Sequence, residues 1–123
     1  DSVMAGLACG ETSPLAWRFL QPGVDHFQTV DDAQAVQAMR TLAQGVDGDR
    51  PIVAGESGVA GLAALQALRA DAPLWAEAGL GPDARVLLIS TEGATAPQVY
   101  AQCVGERAEA VLQRQAQWLA RQP

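Results

Sequence analysis

The sequence contains a continuous run of strand-forming apolar residues, Val86 to Ile89, which stops abruptly at the small polar loop Ser90-Thr91-Glu92-Gly93. Such a run is typical of a parallel strand that is buried on both faces. Pro97 stands where it can open a helix after the loop. A strand, a small polar loop and a helix in this order often build a ligand site at the carboxyl end of the strand. The loop is therefore either a ligand site or a plain turn in which Ser and Thr act as local caps.

Two shorter segments, 26–30 and 51–54, also predict strands, in addition to the strand at 85–90. Helical spacing of apolar residues and helix-capping signals predict helices over 14–21, 32–44, 57–70, 72–79, 97–104 and 106–120. Strands that alternate with helices indicate right-handed parallel β-α-β units. The predicted fold class is therefore α/β, a parallel sheet with helices on both faces.

Composition and charge exclude several classes of protein. A chain of 123 residues is one domain or part of one. The formal net charge of −6 argues against nucleic-acid binding, which needs a basic surface. No apolar run approaches the length of a membrane span, so no membrane partner is expected. Two cysteines are too few for a disulfide framework, which favours a reduced, cytoplasmic setting.

The absence of lysine limits the chemistry of this chain. All eight basic residues are arginines, so the chain cannot by itself complete a reaction that needs a lysine amine. The chain also begins at Asp1 rather than Met and soon enters a loop-like stretch, VMAGLACGE. We interpret this beginning as a cut through a larger protein.

Few single residues suggest a site before the motifs are considered together. His26 has no second histidine and no cluster of Cys or Asp at ligand spacing, so no metal site is expected. Glu56 follows the 51–54 segment and precedes a predicted helix. It is either a carboxylate that interacts with the helix dipole or an acid that faces a ligand.

Four motifs in sequence order resemble a known family of enzymes. They are MAGLACGE-x-x-P-L-x-W at 4–17, D-x-x-A-x-x-x-M-R at 32–40, GESG-x-x-G-L at 55–62 and VLxISTEG-x-T at 86–95. Together they resemble the carboxyl-terminal third of fold type II pyridoxal-phosphate enzymes, the tryptophan synthase β-subunit class. Within that class the resemblance is to the diaminopropionate ammonia-lyase family. It covers the chain to about Val104 and does not extend to the helix after Gly105.

The resemblance implies that residues 1–123 are the carboxyl-terminal part of a pyridoxal-phosphate-dependent lyase domain. The complete enzyme would convert 2,3-diaminopropionate to pyruvate and ammonia by α,β-elimination, in cytoplasmic amino-acid catabolism. In the family the lysine that binds the cofactor and the acid–base residues lie in the amino-terminal part. This chain is therefore expected to hold no catalytic residue and to be inactive alone. Its expected partners are the small amino-acid substrate, that missing part, and a second copy in a homodimer.

The family also suggests which residues contact the cofactor. Ser90 would lie against the nitrogen of the pyridine ring, or Thr91 if the register is one residue off. Glu56 would place a carboxylate near the ring, and residues 6–8 would line one side of it. These positions are expected to converge at one edge of the sheet. The predicted cofactor-binding residues are Gly6, Leu7, Ala8, Glu56, Ser90 and Thr91.

Two alternatives remain open. One is another enzyme of the same fold, such as a serine or threonine dehydratase. Dehydratases usually carry a glycine-rich turn where Ser90-Thr91-Glu92-Gly93 stands, which argues against this alternative. The other is a non-catalytic α/β module that binds a protein or a small anion, which the absence of lysine would suit.

Overall fold

The computed structural model of the protein describes residues 2–122, which form six α-helices joined by loops and short turns. The helices are α1 (Pro14–Gly23), α2 (Asp32–Gln44), α3 (Ala60–Ala70), α4 (Ala72–Glu77), α5 (Pro97–Val104) and α6 (Ala108–Ala120). Single 3-10 turns occupy Ala5–Leu7 and Val46–Gly48. Among residues 2–122, no helix combines the length and the apolar character that crossing a bilayer requires.

The central helix α2 begins and ends where the sequence predicts. The Asp31 carboxylate accepts a hydrogen bond from the backbone N–H of Gln34, and the Gln34 side chain accepts one from the Asp31 N–H, each at 2.8 Å. This reciprocal pair is a capping box, which satisfies two N–H groups that the first turn leaves free. Gly45 ends the helix in the left-handed conformation, with φ of 63°, which glycine adopts at little cost.

The core lies where α2 packs against α3 and α5. The buried face of α2 carries Ala35 and Ala38, whose small side chains let neighbouring helices approach closely. Met39 from α2, Val59 from the start of α3 and Tyr100 from α5 fill the space between them and are almost fully buried. The burial of these apolar side chains holds the three helices together.

The last helix, α6, is attached to the end of α2 and to the segment that follows it through side-chain hydrogen bonds to backbone carbonyls. Arg114 donates to the carbonyl of Ala43 at 2.9 Å, and Trp118 Nε1 donates to the carbonyl of Gly48 at 2.8 Å. Gln115 donates to the carbonyl of Pro51 at 2.7 Å. These contacts fix the segment that leads to Glu56.

The predicted parallel sheet is wrong for this structure. Within residues 2–122, the segments 26–30, 51–54 and 85–90 are non-helical, but none of them forms a strand. The carbonyl of Pro51 instead accepts from the Gln115 side chain on α6. The N–H of Ile52 donates to the carbonyl of Leu42 on α2 at 2.8 Å.

The exposure of the apolar run explains the error. The pattern Val86 to Ile89 predicts a strand only if both of its faces are covered. In the structure Leu87 is 87% exposed and Ile89 is 76% exposed. A helix makes its backbone hydrogen bonds within one segment, whereas a strand needs a neighbour for every bond of its ladder. The helix predictions therefore hold where the strand predictions fail.

Candidate functional site

Three loops that carry the motifs are joined by hydrogen bonds. The N–H of Gly6 donates to the Ser57 hydroxyl oxygen at 3.0 Å. The N–H of Ser57 donates to the Glu92 carboxylate at 2.8 Å, and the N–H of Gly55 donates to the Glu92 carbonyl at 2.9 Å. The loops 4–11, 55–58 and 90–95 therefore meet at one place, although no sheet edge organises them within the described residues.

Two glycines allow this close approach. A Cβ atom at Gly55 would lie 2.3 Å from the carbonyl oxygen of Gly93. A Cβ atom at Gly58 would lie 2.9 Å from the Ser90 hydroxyl oxygen and 2.9 Å from the Glu92 carbonyl oxygen. Real Cβ contacts are essentially never this short, so any larger residue would push the loops apart.

Glu92 joins these loops, although it is not among the site residues predicted from the sequence. Its Oε2 accepts from the N–H of Ser57, and its Oε1 accepts from the Thr95 hydroxyl at 3.1 Å. Its partner Ser57 lies 35 positions earlier in the chain, and nothing local in the sequence indicates this pairing. The available signal is a single charged residue among the small residues of the loop 90–95.

The aspartate that follows the α2 cap anchors the beginning of the first loop. Ser2 Oγ donates to Asp32 Oδ1 at 2.6 Å, and the N–H of Val3 donates to Asp32 Oδ2 at 3.1 Å. These two hydrogen bonds lower the pKa of the Asp32 carboxyl below its ordinary value, the Ser2 contact having the larger effect. Asp32 thus remains charged and keeps the chain entering the 4–11 loop against α2.

The predicted site residues differ in their surroundings. Ser90 and Thr91 are exposed, as are Gly6, Leu7 and Ala8. Glu56 is only 5% exposed, and its Oε1 has no hydrogen-bond partner among the described residues. A buried carboxylate oxygen without a partner is costly to desolvate, so Glu56 stands apart from ordinary core residues.

The Cys103 thiol on α5 is affected by burial and by the charge of Glu56. Burial raises the pKa of the Cys103 thiol above its ordinary value, and the negative charge of Glu56 raises it further. Glu56 itself is buried, whereas Ser90 and Thr91 are exposed residues.

A cleft of about 700 Å³ lies beside the first loop. Leu7 and Ala8 line it, together with His26 and Thr29. None of Glu56, Ser90 and Thr91 belongs to its lining, so this cleft and the junction of the three loops are adjacent but separate features.

The sequence was compared with known proteins. No protein-family model matches this chain. The diaminopropionate ammonia-lyase of Escherichia coli (strain K12) is 40% identical over 113 residues, which cover 89% of this chain and 28% of that enzyme. The chain is homologous to part of diaminopropionate ammonia-lyase. The diaminopropionate ammonia-lyase of Salmonella typhimurium (strain LT2) is 39% identical over 103 residues, which cover 80% of this chain and 26% of that enzyme.

The chain therefore spans a little over a quarter of the length of the curated diaminopropionate ammonia-lyases that it matches. The match lies in the carboxyl-terminal region of those enzymes, as the four motifs predict.

The similarity extends to solved structures. The Escherichia coli diaminopropionate ammonia-lyase in complex with D-serine superposes with a TM-score of 0.77 and 39% identity, covering 86% of this chain and 28% of that one. The same enzyme with an aminoacrylate-PLP azomethine reaction intermediate gives a TM-score of 0.71 and 37% identity, covering 84% and 28%. The cofactor predicted from the resemblance is thus the one that the related enzyme contains.

Proposed function

We propose that this chain forms the carboxyl-terminal part of a pyridoxal-phosphate-dependent ammonia-lyase that eliminates ammonia from 2,3-diaminopropionate to yield pyruvate. The observation that carries the proposal is the junction of the three motif loops, which the hydrogen bonds of Ser57 and Glu92 hold together. The homology to diaminopropionate ammonia-lyase supports the choice of reaction.

The residues at this junction suit the cofactor. Ser90 and Thr91 present exposed neutral hydroxyls, while the only carboxylate of their loop, Glu92, is occupied by Ser57 and Thr95. A neutral hydroxyl against the ring nitrogen does not strongly favour a protonated pyridine, in contrast to a carboxylate. When bound, pyridoxal phosphate supplies an electron sink for the negative charge that develops at the substrate α-carbon.

The chain's own residues would bind and orient the ring. Ser90 would donate a hydrogen bond to the ring nitrogen, and Thr91 would take this role if the register differs by one residue. The exposed turn formed by Gly6, Leu7 and Ala8 would cover one side of the ring and exclude water from it. Glu56 supplies a buried carboxylate behind the turn that begins α3.

The remaining parts of the enzyme would come from outside this chain. Because the chain contains no lysine, the amine that binds the cofactor belongs to the amino-terminal part, and the isolated chain is inactive. We propose that the complete enzyme is a homodimer that acts in cytoplasmic amino-acid catabolism.

A chimera provides the test. This chain replaces the matching segment of the Escherichia coli enzyme, and turnover of 2,3-diaminopropionate is compared with that of serine and threonine. Ser90→Ala removes one neutral hydrogen bond and should raise the cofactor dissociation constant about twofold to tenfold, with a fall in turnover. Thr91→Val is the matched control, since it removes the neighbouring hydroxyl.

Four outcomes would contradict parts of the proposal. If Thr91→Val weakens cofactor binding and Ser90→Ala does not, Thr91 is the partner of the ring nitrogen. If neither variant changes binding, the cofactor does not lie at this loop. Preferential turnover of serine or threonine would favour a dehydratase, and borohydride trapping of the cofactor on a side chain of the isolated chain would refute its proposed inactivity.

A further inference from the structure

The carboxylate of Glu92 connects parts of the chain that are distant in sequence. The two carboxylate oxygens accept from the Ser57 N–H at 2.8 Å and from the Thr95 hydroxyl at 3.1 Å. The backbone carbonyl of Glu92 accepts from the Gly55 N–H at 2.9 Å. Hydrogen bonds to a charged acceptor are stronger than those between neutral groups. The loop 90–95 is therefore fastened to the turn at 55–58 through one side chain and its own backbone.

Ser57 extends the connection to the third loop. Its N–H donates to Glu92, while its hydroxyl oxygen accepts from the N–H of Gly6 at 3.0 Å. We call the hydrogen-bonded series formed by Gly6, Ser57, Glu92 and Thr95 the Glu92 bridge. It supplies an acceptor near the beginning of α3, whose own cap residue, Val59, makes no side-chain cap hydrogen bond.

The same turn lies close to Ser90. A Cβ atom added at Gly58 would lie 2.9 Å from both the Ser90 hydroxyl oxygen and the Glu92 carbonyl oxygen, so only a glycine leaves room there. Since Ser57 and Gly58 are adjacent, a shift of Ser57 away from Glu92 changes the packing of Gly58 on Ser90. Gly58 therefore links the position of the Ser90 side chain to the Glu92 bridge.

We propose that Glu92 is a positioning residue that fixes the Ser90 hydroxyl for the pyridine nitrogen, acting through the turn at 55–58. This inference rests on the proposed role of Ser90 in cofactor binding. Glu92 does not contact the ring, because its carboxylate is committed to Ser57 and Thr95. The arrangement uses a charge to hold the loops and leaves a neutral hydroxyl for the cofactor.

The first arm of the test measures the bridge itself in the 123-residue chain, by amide hydrogen exchange. Glu92→Gln, which keeps the size of the side chain, should accelerate exchange at the amides of Ser57 and Gly6 on the order of tenfold, and Glu92→Ala should accelerate it further. Glu109→Gln is the matched control, because Glu109 lies on α6, is exposed and, among the salt bridges of the described residues, pairs only with the exposed Arg107 that precedes the helix. Unchanged exchange at Ser57 in both Glu92 variants would overturn the inference.

The second arm is a double-mutant cycle in the chimera, with the cofactor dissociation constant and the separate values of kcat and KM as readouts. If Glu92 acts through Ser90, Glu92→Gln should weaken cofactor binding by several-fold in the Ser90 background and have almost no effect in the Ser90→Ala background. An equal effect in both backgrounds would overturn this inference alone. If Ser90→Ala leaves the cofactor dissociation constant, kcat and KM unchanged, the proposed role of Ser90 is overturned, and this inference with it.

Discussion

Replacing Gly55 with alanine should separate the 55–58 turn from the 90–95 loop. The added Cβ would lie 2.3 Å from the carbonyl oxygen of Gly93 and 2.6 Å from the Glu92 Cγ. Ordinary contacts begin at 3.4 Å, so the two segments must move apart by about 1 Å. A movement of this size also breaks the 2.9 Å hydrogen bond from the Gly55 N–H to the Glu92 carbonyl.

The cost can be worked out from these two effects. Overpacking of a well-packed site costs about 1–3 kcal/mol. The lost hydrogen bond adds about 0.5–1.5 kcal/mol. We therefore expect Gly55→Ala to lower the free energy of unfolding by about 1.5–4.5 kcal/mol.

Urea denaturation followed by tryptophan fluorescence and circular dichroism measures this change. The control is Gly10→Ala, because nothing lies within 4 Å of a Cβ at Gly10 and its φ is not in the left-handed region. The control should change the free energy of unfolding by no more than about 0.5 kcal/mol, or stabilise the chain slightly. If Gly55→Ala costs no more than Gly10→Ala, the two loops do not approach each other as described, and the reasoning about their junction fails.

Two further predictions concern ionisable groups in and beside the core. The Tyr100 hydroxyl is buried with no hydrogen-bond partner among the described residues, so Tyr100→Phe should raise the free energy of unfolding by about 1–3 kcal/mol. Burial raises the pKa of Tyr100 above its ordinary value of 10.0, so in urea titrations the wild-type chain should lose stability as the pH rises past 10.0. The Tyr100→Phe variant should lose less stability over the same pH range. A Phe variant that is less stable than the wild type would contradict this account. The hydrogen bonds from Arg114 lower the pKa of Glu106 below 4.5, so their pair stabilises the fold above that pH and this contribution is lost as the pH falls through the lowered pKa. Because both partners are about one-third exposed, Glu106→Gln should cost less than about 1 kcal/mol at neutral pH, and a cost that persists unchanged at pH 3 would show that the ion pair is not its source.

The helices could be predicted from the sequence because their signals are local. Asp31 and Gln34 stand three positions apart and cap α2, and Gly45 ends it at the predicted residue. Pro97 and Gly105 likewise bound α5 where the pattern places it. Each of these signals acts within one or two turns, so no knowledge of the rest of the fold is required.

The sheet could not be predicted in the same way, because a strand depends on partners that its own residues do not specify. The apolar run at 86–89 has the composition of a buried strand, but in this structure Leu87 and Ile89 are largely exposed. The segment 51–54 has its backbone groups partly satisfied by α2 and by the side chain of Gln115, which no pattern in the sequence signals.

The candidate site likewise has some features that the sequence reveals and one that it does not. The motif loops and the resemblance they carry are visible in the sequence, and the relatives bear out the family and its cofactor. The residue that joins the loops, Glu92, is not visible, because its partner Ser57 is distant in sequence and is contacted through a backbone N–H. Because every residue except proline has a backbone N–H, a carboxylate that binds one requires no particular residue type at the partner position, and the sequence shows no sign of the pairing.

The exposed segment Val86-Leu87-Leu88-Ile89 has a consequence for how the chain behaves in concentrated solution. Four consecutive apolar residues with high strand propensity and no charge are the kind of stretch from which ordered aggregates nucleate. Arg85 is the only charged residue directly adjoining them, and the other side ends in the neutral Ser90 and Thr91. We expect this segment to set the solubility limit of the isolated chain. Leu87→Lys should therefore raise the concentration at which turbidity appears. The helical core should stay intact, because Leu87 is exposed and does not belong to the core.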